Sequence, residues 1–82
     1  MDESLPIHHS SQIHWAQYDP ETQVLKLTLN DRRKHGYSPV PGKGIDMQKT
    51  VNAFVRAKSH GDFFHANIRN NQNYRYHGKV DQ

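Results

Sequence analysis

Cysteine is absent from the 82 residues, which excludes disulfide bridges and thiolate metal sites and points to a reducing, cytoplasmic setting. Long apolar runs are absent too. None approaches the roughly 20 residues that a membrane-spanning helix needs, so no membrane partner is expected. The opening residues Met1-Asp2-Glu3-Ser4-Leu5-Pro6 are acidic where a secretory signal would be basic. Hydrophobic residues are scarce, at 33% with a mean hydropathy of −1.04. A chain of this length buries only about 60% of its unfolded surface, so its core is thin. Lys and Arg are missing from residues 1–23, where Asp2, Glu3, Asp19 and Glu21 leave a charge of −4. Residues 24–82 carry all 11 Lys and Arg against Asp31, Asp46, Asp62 and Asp81, a net of +7. Such segregation fits an anionic partner, unless folding redistributes the charge over an ordinary solvated surface.

The apolar residues that do occur are patterned. Residues 1–9 lack any period and read as a flexible arm, leaving residues 10–82 as one domain. Gln12 to Tyr18 reads as a strand with Ile13 and Trp15 on one face, followed by a turn at Asp19-Pro20-Glu21-Thr22. Val24 to Leu29 alternates strictly, with Leu25, Leu27 and Leu29 on one side. A third strand spans about Lys34 to Val40 and ends at Pro39 and Pro41. Past the Gly42-Lys43-Gly44 loop, Asp46 is a good N-cap for a helix bearing Met47, Val51, Phe54, Val55 and Lys58 at helical spacing. Ser59-His60-Gly61-Asp62 has a capping pattern that opens a second short helix, through Phe63 and Phe64 to Ile68. Asn70 to Gln82 is a polar tail that either adds an edge strand around Tyr74 to His77 or drapes over the sheet. The fold class is therefore α+β: a three-stranded antiparallel meander, then two helices packed on one face, then the tail.

Candidate contacts to an anion are Arg32, Arg33 and Lys34 with Tyr37, Lys43 in its glycine loop, and Arg69 with Tyr74, Arg75 and Tyr76. Guanidinium and ammonium groups meet phosphates, and a tyrosine face stacks on an unpaired base. Against this, a strand tyrosine such as Tyr37 also serves by packing on a helix. The glycine loop is not a P-loop, because the spacing and the hydroxyl residue after Lys43 are missing. The seven histidines lack metal-ligand spacing, and Asp62 with His65 supplies two ligands only, so no metal or other cofactor is expected. Ser59 and Asp62 have capping roles, and no paired carboxylates stand out, so no catalytic set is expected.

Several motifs then fall in a recognisable order. They are Ser10-Ser11-x-Ile13, Tyr18-Asp19-Pro20-x-Thr22-x-x-Leu25, Tyr37-x-x-Val40-Pro41, and Ala57-x-Ser59-x-Gly61-x-x-Phe64-x-x-x-Ile68-Arg69. Together they resemble the KTSC domain, found at the C-terminus of some lysyl-tRNA synthetases and as small stand-alone bacterial and phage proteins. The resemblance covers roughly residues 10 to 76. It departs in two places: His35 stands where a Tyr-x-Tyr pair would begin, and Arg32 stands where a turn glycine is usual. The resemblance implies RNA binding. The combined expectation is a small non-enzymatic domain that binds RNA or a small nucleotide. The alternative is a protein-interaction module, such as a phage-encoded inhibitor of a host protein or a homodimeric nucleotide sponge.

Overall fold

The computed structural model describes residues 1–8 and 10–79. Among these, five strands lie in chain order and pair antiparallel: β1 (Glu3–Ser4), β2 (Trp15–Asp19), β3 (Val24–Thr28), β4 (Lys34–Pro39) and β5 (Tyr74–Lys79). The expected three-stranded meander is the centre of this wider sheet. The segment read as an arm supplies β1, where Glu3 pairs with Tyr18 and Ser4 with Gln17. It is held further by an Asp2–Lys26 ion pair of 2.9 Å, by Leu5 N–H donating to the Ala16 carbonyl at 2.9 Å, and by His8 N–H donating to His60 Nε2 at 3.1 Å. Two residues are too few to show a period, so β1 leaves no trace in the pattern. The tail supplies β5, longer than the edge strand proposed for it; its last three residues lie outside the described residues.

The alternation in β3 works as read, burying Leu25 and Leu27 completely while Lys26 faces the other way. In β2 the parity differs from the expectation. Ile13 is buried, but Trp15 is 52% exposed, and Ala16 and Tyr18 point inward instead. The cause is a bend at His14, whose N–H donates to the Thr28 carbonyl at 2.8 Å before regular pairing starts at Trp15. A period-2 count cannot cross a bend.

Helix α1 (Met47–Arg56) starts where Asp46 accepts from Lys49 N–H at 3.2 Å, and it buries Met47, Val51 and Phe54. Lys58 falls beyond its end, because Ala57 is already extended. Helix α2 (His60–Phe64) opens on Ser59, whose hydroxyl accepts from Asp62 N–H at 3.2 Å. It then widens into a π-helical turn, His65–Arg69, marked by Asn70 N–H donating to the His65 carbonyl at 3.1 Å. Phe54, Phe64 and Ile68 are fully buried against Leu25, Leu27, Tyr18 and Tyr37, so both helices cover one sheet face. Among the described residues no helix is long and apolar enough to cross a membrane.

Buried His60 joins the layers. Its Nδ1–H donates to the Phe54 carbonyl at 2.9 Å, and its bare Nε2 accepts from His8, so one imidazole ties α1 and α2 to the N-terminal segment.

Candidate functional site

A cleft of about 620 Å³ opens where the β3–β4 turn, β5 and the π-helical turn meet. Its floor is Tyr37 and Leu29, its turn wall is Asn30, Asp31 and His35, and its far wall is Tyr76 with His65, Arg69 and Gln12.

The turn wall follows from local chain chemistry. Arg32 N–H donates to the Leu29 carbonyl at 2.9 Å, and Arg32 itself has φ +62°, a left-handed conformation that favours glycine. This is the position where the family resemblance leads one to expect glycine. Asp31 closes the turn by accepting from Arg33 N–H at 3.0 Å on Oδ1. Its other oxygen, Oδ2, lies 2.9 Å from His35 Nε2. A carboxylate only accepts, so Nε2 carries the hydrogen. With His35 neutral, Nδ1 is then an acceptor, and Tyr76 Oη lies 2.7 Å from it. The result is a chain in which Tyr76 O–H donates to His35 and His35 N–H donates to Asp31. The Arg33 backbone bond, followed by the His35 bond, holds the Asp31 carboxyl below its ordinary 3.8 despite opposing desolvation. A depressed carboxyl contributes stability above its unfolded value and loses it as pH falls through the lowered one, so Asp31 is ionised at neutral pH.

The opposite wall is built by the glycine of the most recognisable motif. A Cβ on Gly61 would meet Gln12 Cδ and Oε1 at 3.0 Å. The bare Gly61 thus lets the Gln12 side chain cross the start of the helix. Gln12 Oε1 then accepts from His65 Nε2–H at 2.6 Å. His65 Nδ1, left as an acceptor, faces Arg69 Nη1 at 3.4 Å, so the exposed guanidinium is steered along the cleft rim. In Gly61→Ala, the gain in helix propensity, about 1 kcal/mol, opposes loss of the Gln12 bond, about 0.5–1.5 kcal/mol. The melting temperature should move little while the His65 ring-nitrogen resonances shift, which NMR reads directly.

Tyr37 is 6% exposed, packs edge-on against Phe64 with centroids 5.1 Å apart, and meets Tyr76 at 5.0 Å. It is mainly a core residue with one edge in the cleft. Burial raises its pKa, with the nearby Tyr76 charge adding and Arg69 opposing. Burial, and then Asp46, raises Tyr18 in the same direction. A raised folded pKa contributes stability that is intact below the ordinary value of 10 and lost as pH climbs through the raised one. A spectrophotometric titration should therefore show Tyr18 and Tyr37 ionising late, with their contribution to stability falling above pH 10.

Of the residues singled out in the sequence, the structure gathers Tyr37, Arg69 and Tyr76. Arg32 and Arg33 sit on the turn beside the cleft without lining it. Lys43 lies past the other end of β4, and Gly42 and Gly44 flank it in left-handed conformations. Tyr74 is structural: its Oη lies 2.7 Å from Thr50 Oγ1 and docks β5 on α1. Alternation turns Arg75, which pairs with Ser38, to the helix-free face. Gln12, Asn30, Asp31, His35 and His65 were not singled out as binding residues, and they join Tyr76 only through long-range contacts. The one sequence signal pointing there was His35 in place of an expected tyrosine. Among the described residues no three His, Asp or Glu side chains converge on a metal position.

No curated protein matches the chain at a significant level. A family model does, the KTSC domain, over residues 9–76. Those residues include Gln12, the turn at Asp31, His35 and Tyr37, the Gly61 crossing, and Arg69 with Tyr76. With its fold and cleft built from that matched stretch, the chain belongs to the KTSC domain family.

Proposed function

We propose that the cleft binds a nucleotide or an unpaired, phosphate-linked base of RNA, and that the domain acts by binding. The observation that carries this reading is the juxtaposition of Tyr76 and Arg69. Tyr76 is 50% exposed and Arg69 is an exposed cation, and both border a space of nucleotide size. A tyrosine face stacks on a base for about 1–3 kcal/mol whatever its identity, and a guanidinium meets a phosphate through paired hydrogen bonds. Lys79, opposite His35 on β5, adds positive charge nearby, while both oxygens of Asp31 are already engaged.

Labelled single-stranded RNA and mono-, di- and cyclic nucleotides, titrated at two salt concentrations, test the reading. Affinity should fall with salt, with a logarithmic slope of about −0.7 per phosphate contacted. No binding to any of these at low salt overturns it.

A second reading, a protein-interaction module acting on a host protein or a second copy, has its own observation. Trp15 is half exposed on the sheet face that carries no helix, and such residues anchor interfaces. Trp15→Ala separates the two readings, because it should leave nucleotide titrations unchanged.

A further inference from the structure

We propose that Tyr76 is a chemically armed nucleophile toward phosphodiesters, with His35 as its base and Asp31 as the positioning residue. This rests on the cleft being a phosphate-ester site and goes beyond binding by adding a covalent step. The geometry meets the demands of an activated hydroxyl one by one. The nucleophile oxygen is 2.7 Å from a ring nitrogen that can accept its proton. The other ring nitrogen is 2.9 Å from a carboxylate that fixes the tautomer and stabilises the imidazolium once formed. Asp31 is itself held from behind by Arg33 N–H at 3.0 Å, so it cannot turn away without breaking the turn. The Tyr76 and His35 rings lie nearly parallel, at 21° with centroids 5.9 Å apart, which keeps the phenol in register with the imidazole. Tyr76 is 50% exposed and borders the cleft, and Arg69 on the same wall is placed to neutralise phosphate charge.

No shorter device supplies this constellation. Asp31, His35 and Tyr76 come from a turn, a central strand and an edge strand, and a tyrosine at position 35 would offer no ring nitrogen. In the step, the Tyr76 oxygen bonds to phosphorus and the P–O bond to the leaving alcohol or phenol breaks. The Tyr76 proton passes to His35 Nδ1, and His35 can return it to the departing oxygen. The product is a phosphotyrosyl adduct and a free hydroxyl compound. No oxidant, reductant or further co-reactant is needed. A protein that stops there captures its ligand instead of turning it over.

The probe is bis(4-nitrophenyl) phosphate with the intact chain, followed by nitrophenolate release and by peptide mass spectrometry. The expected result is stoichiometric release and an aryl-phosphate adduct on Tyr76, absent from Tyr76→Phe. Asp31→Asn is the decisive variant. Its amide still accepts from Arg33 but presents N–H to His35, which forces the opposite tautomer and removes the acceptor facing Tyr76. The saturated rate should drop at least about 100-fold, with the half-saturating probe concentration unchanged. His35→Gln provides a second test, checked for folding by circular dichroism. An adduct elsewhere, no adduct in the wild type, or equal rates for wild type and Asp31→Asn overturns the proposal. RNA binding without an adduct defeats this step and leaves the binding reading intact. An adduct without RNA or nucleotide affinity does the reverse.

Discussion

Phe64→Ala is expected to destabilise the domain by about 3–5 kcal/mol, the cost of emptying a large aromatic from a packed core. Phe64 has no exposed surface, and its ring is the edge-on partner of Tyr37 at 5.1 Å. A domain of this size has about 4–12 kcal/mol of total stability, so the loss takes a large share of it. At about 4–8 °C per kcal/mol, the melting temperature should fall by tens of degrees, or the cooperative transition should vanish, in thermal circular dichroism. The neighbouring Phe63→Ala should cost much less, because that ring is only partly buried against the core. Equal losses at the two positions would contradict the packing described. The same substitution should disturb the cleft, since Tyr37 forms its floor and rests on Phe64.

Arg69→Ala carries the second large effect, on ligand affinity. Removing a charge-assisted phosphate contact costs about 1.5–3 kcal/mol, or roughly 10- to 100-fold in Kd for a nucleotide or single-stranded RNA. The salt slope should become shallower by about one phosphate contact, which separates a charge effect from a folding defect. Arg69 is exposed and its contact with His65 is a long one of 3.4 Å, so thermal stability should hardly change. Lys43→Ala is the matched control. Sequence reading ranked both cations as candidates, but Lys43 lies past the end of β4 that points away from the cleft. It should therefore bind as the wild type does, and a loss at Lys43 equal to that at Arg69 would move the site.

Wherever a feature depends on neighbours along the chain, the residues alone determined it. Leu25 and Leu27 alternate with polar partners, and a strand is the conformation that places both on one face. Asp46 and Ser59 cap helices because a short acceptor side chain reaches an amide three residues ahead. The helix from the Ser59 cap through Phe64 to Ile68 was legible for the same reason, and the motif that carries the family resemblance runs through it. Tertiary structure decided what joins distant segments. Strand β1 exists only because β2 offers it an edge, and Trp15 faces outward only because a bend at His14 resets the alternation. Gly61 stood in the sequence only as part of a capping pattern, yet its missing side chain is what admits Gln12, 49 residues earlier, to reach His65. Likewise His35 read as a lost tyrosine until folding set it between Asp31 and Tyr76. Period and spacing report on a residue's own element, whereas hydrogen bonds between side chains are set by the packing of one element on another. For that reason the fold was largely readable from the chain, and the chemistry of its cleft was not.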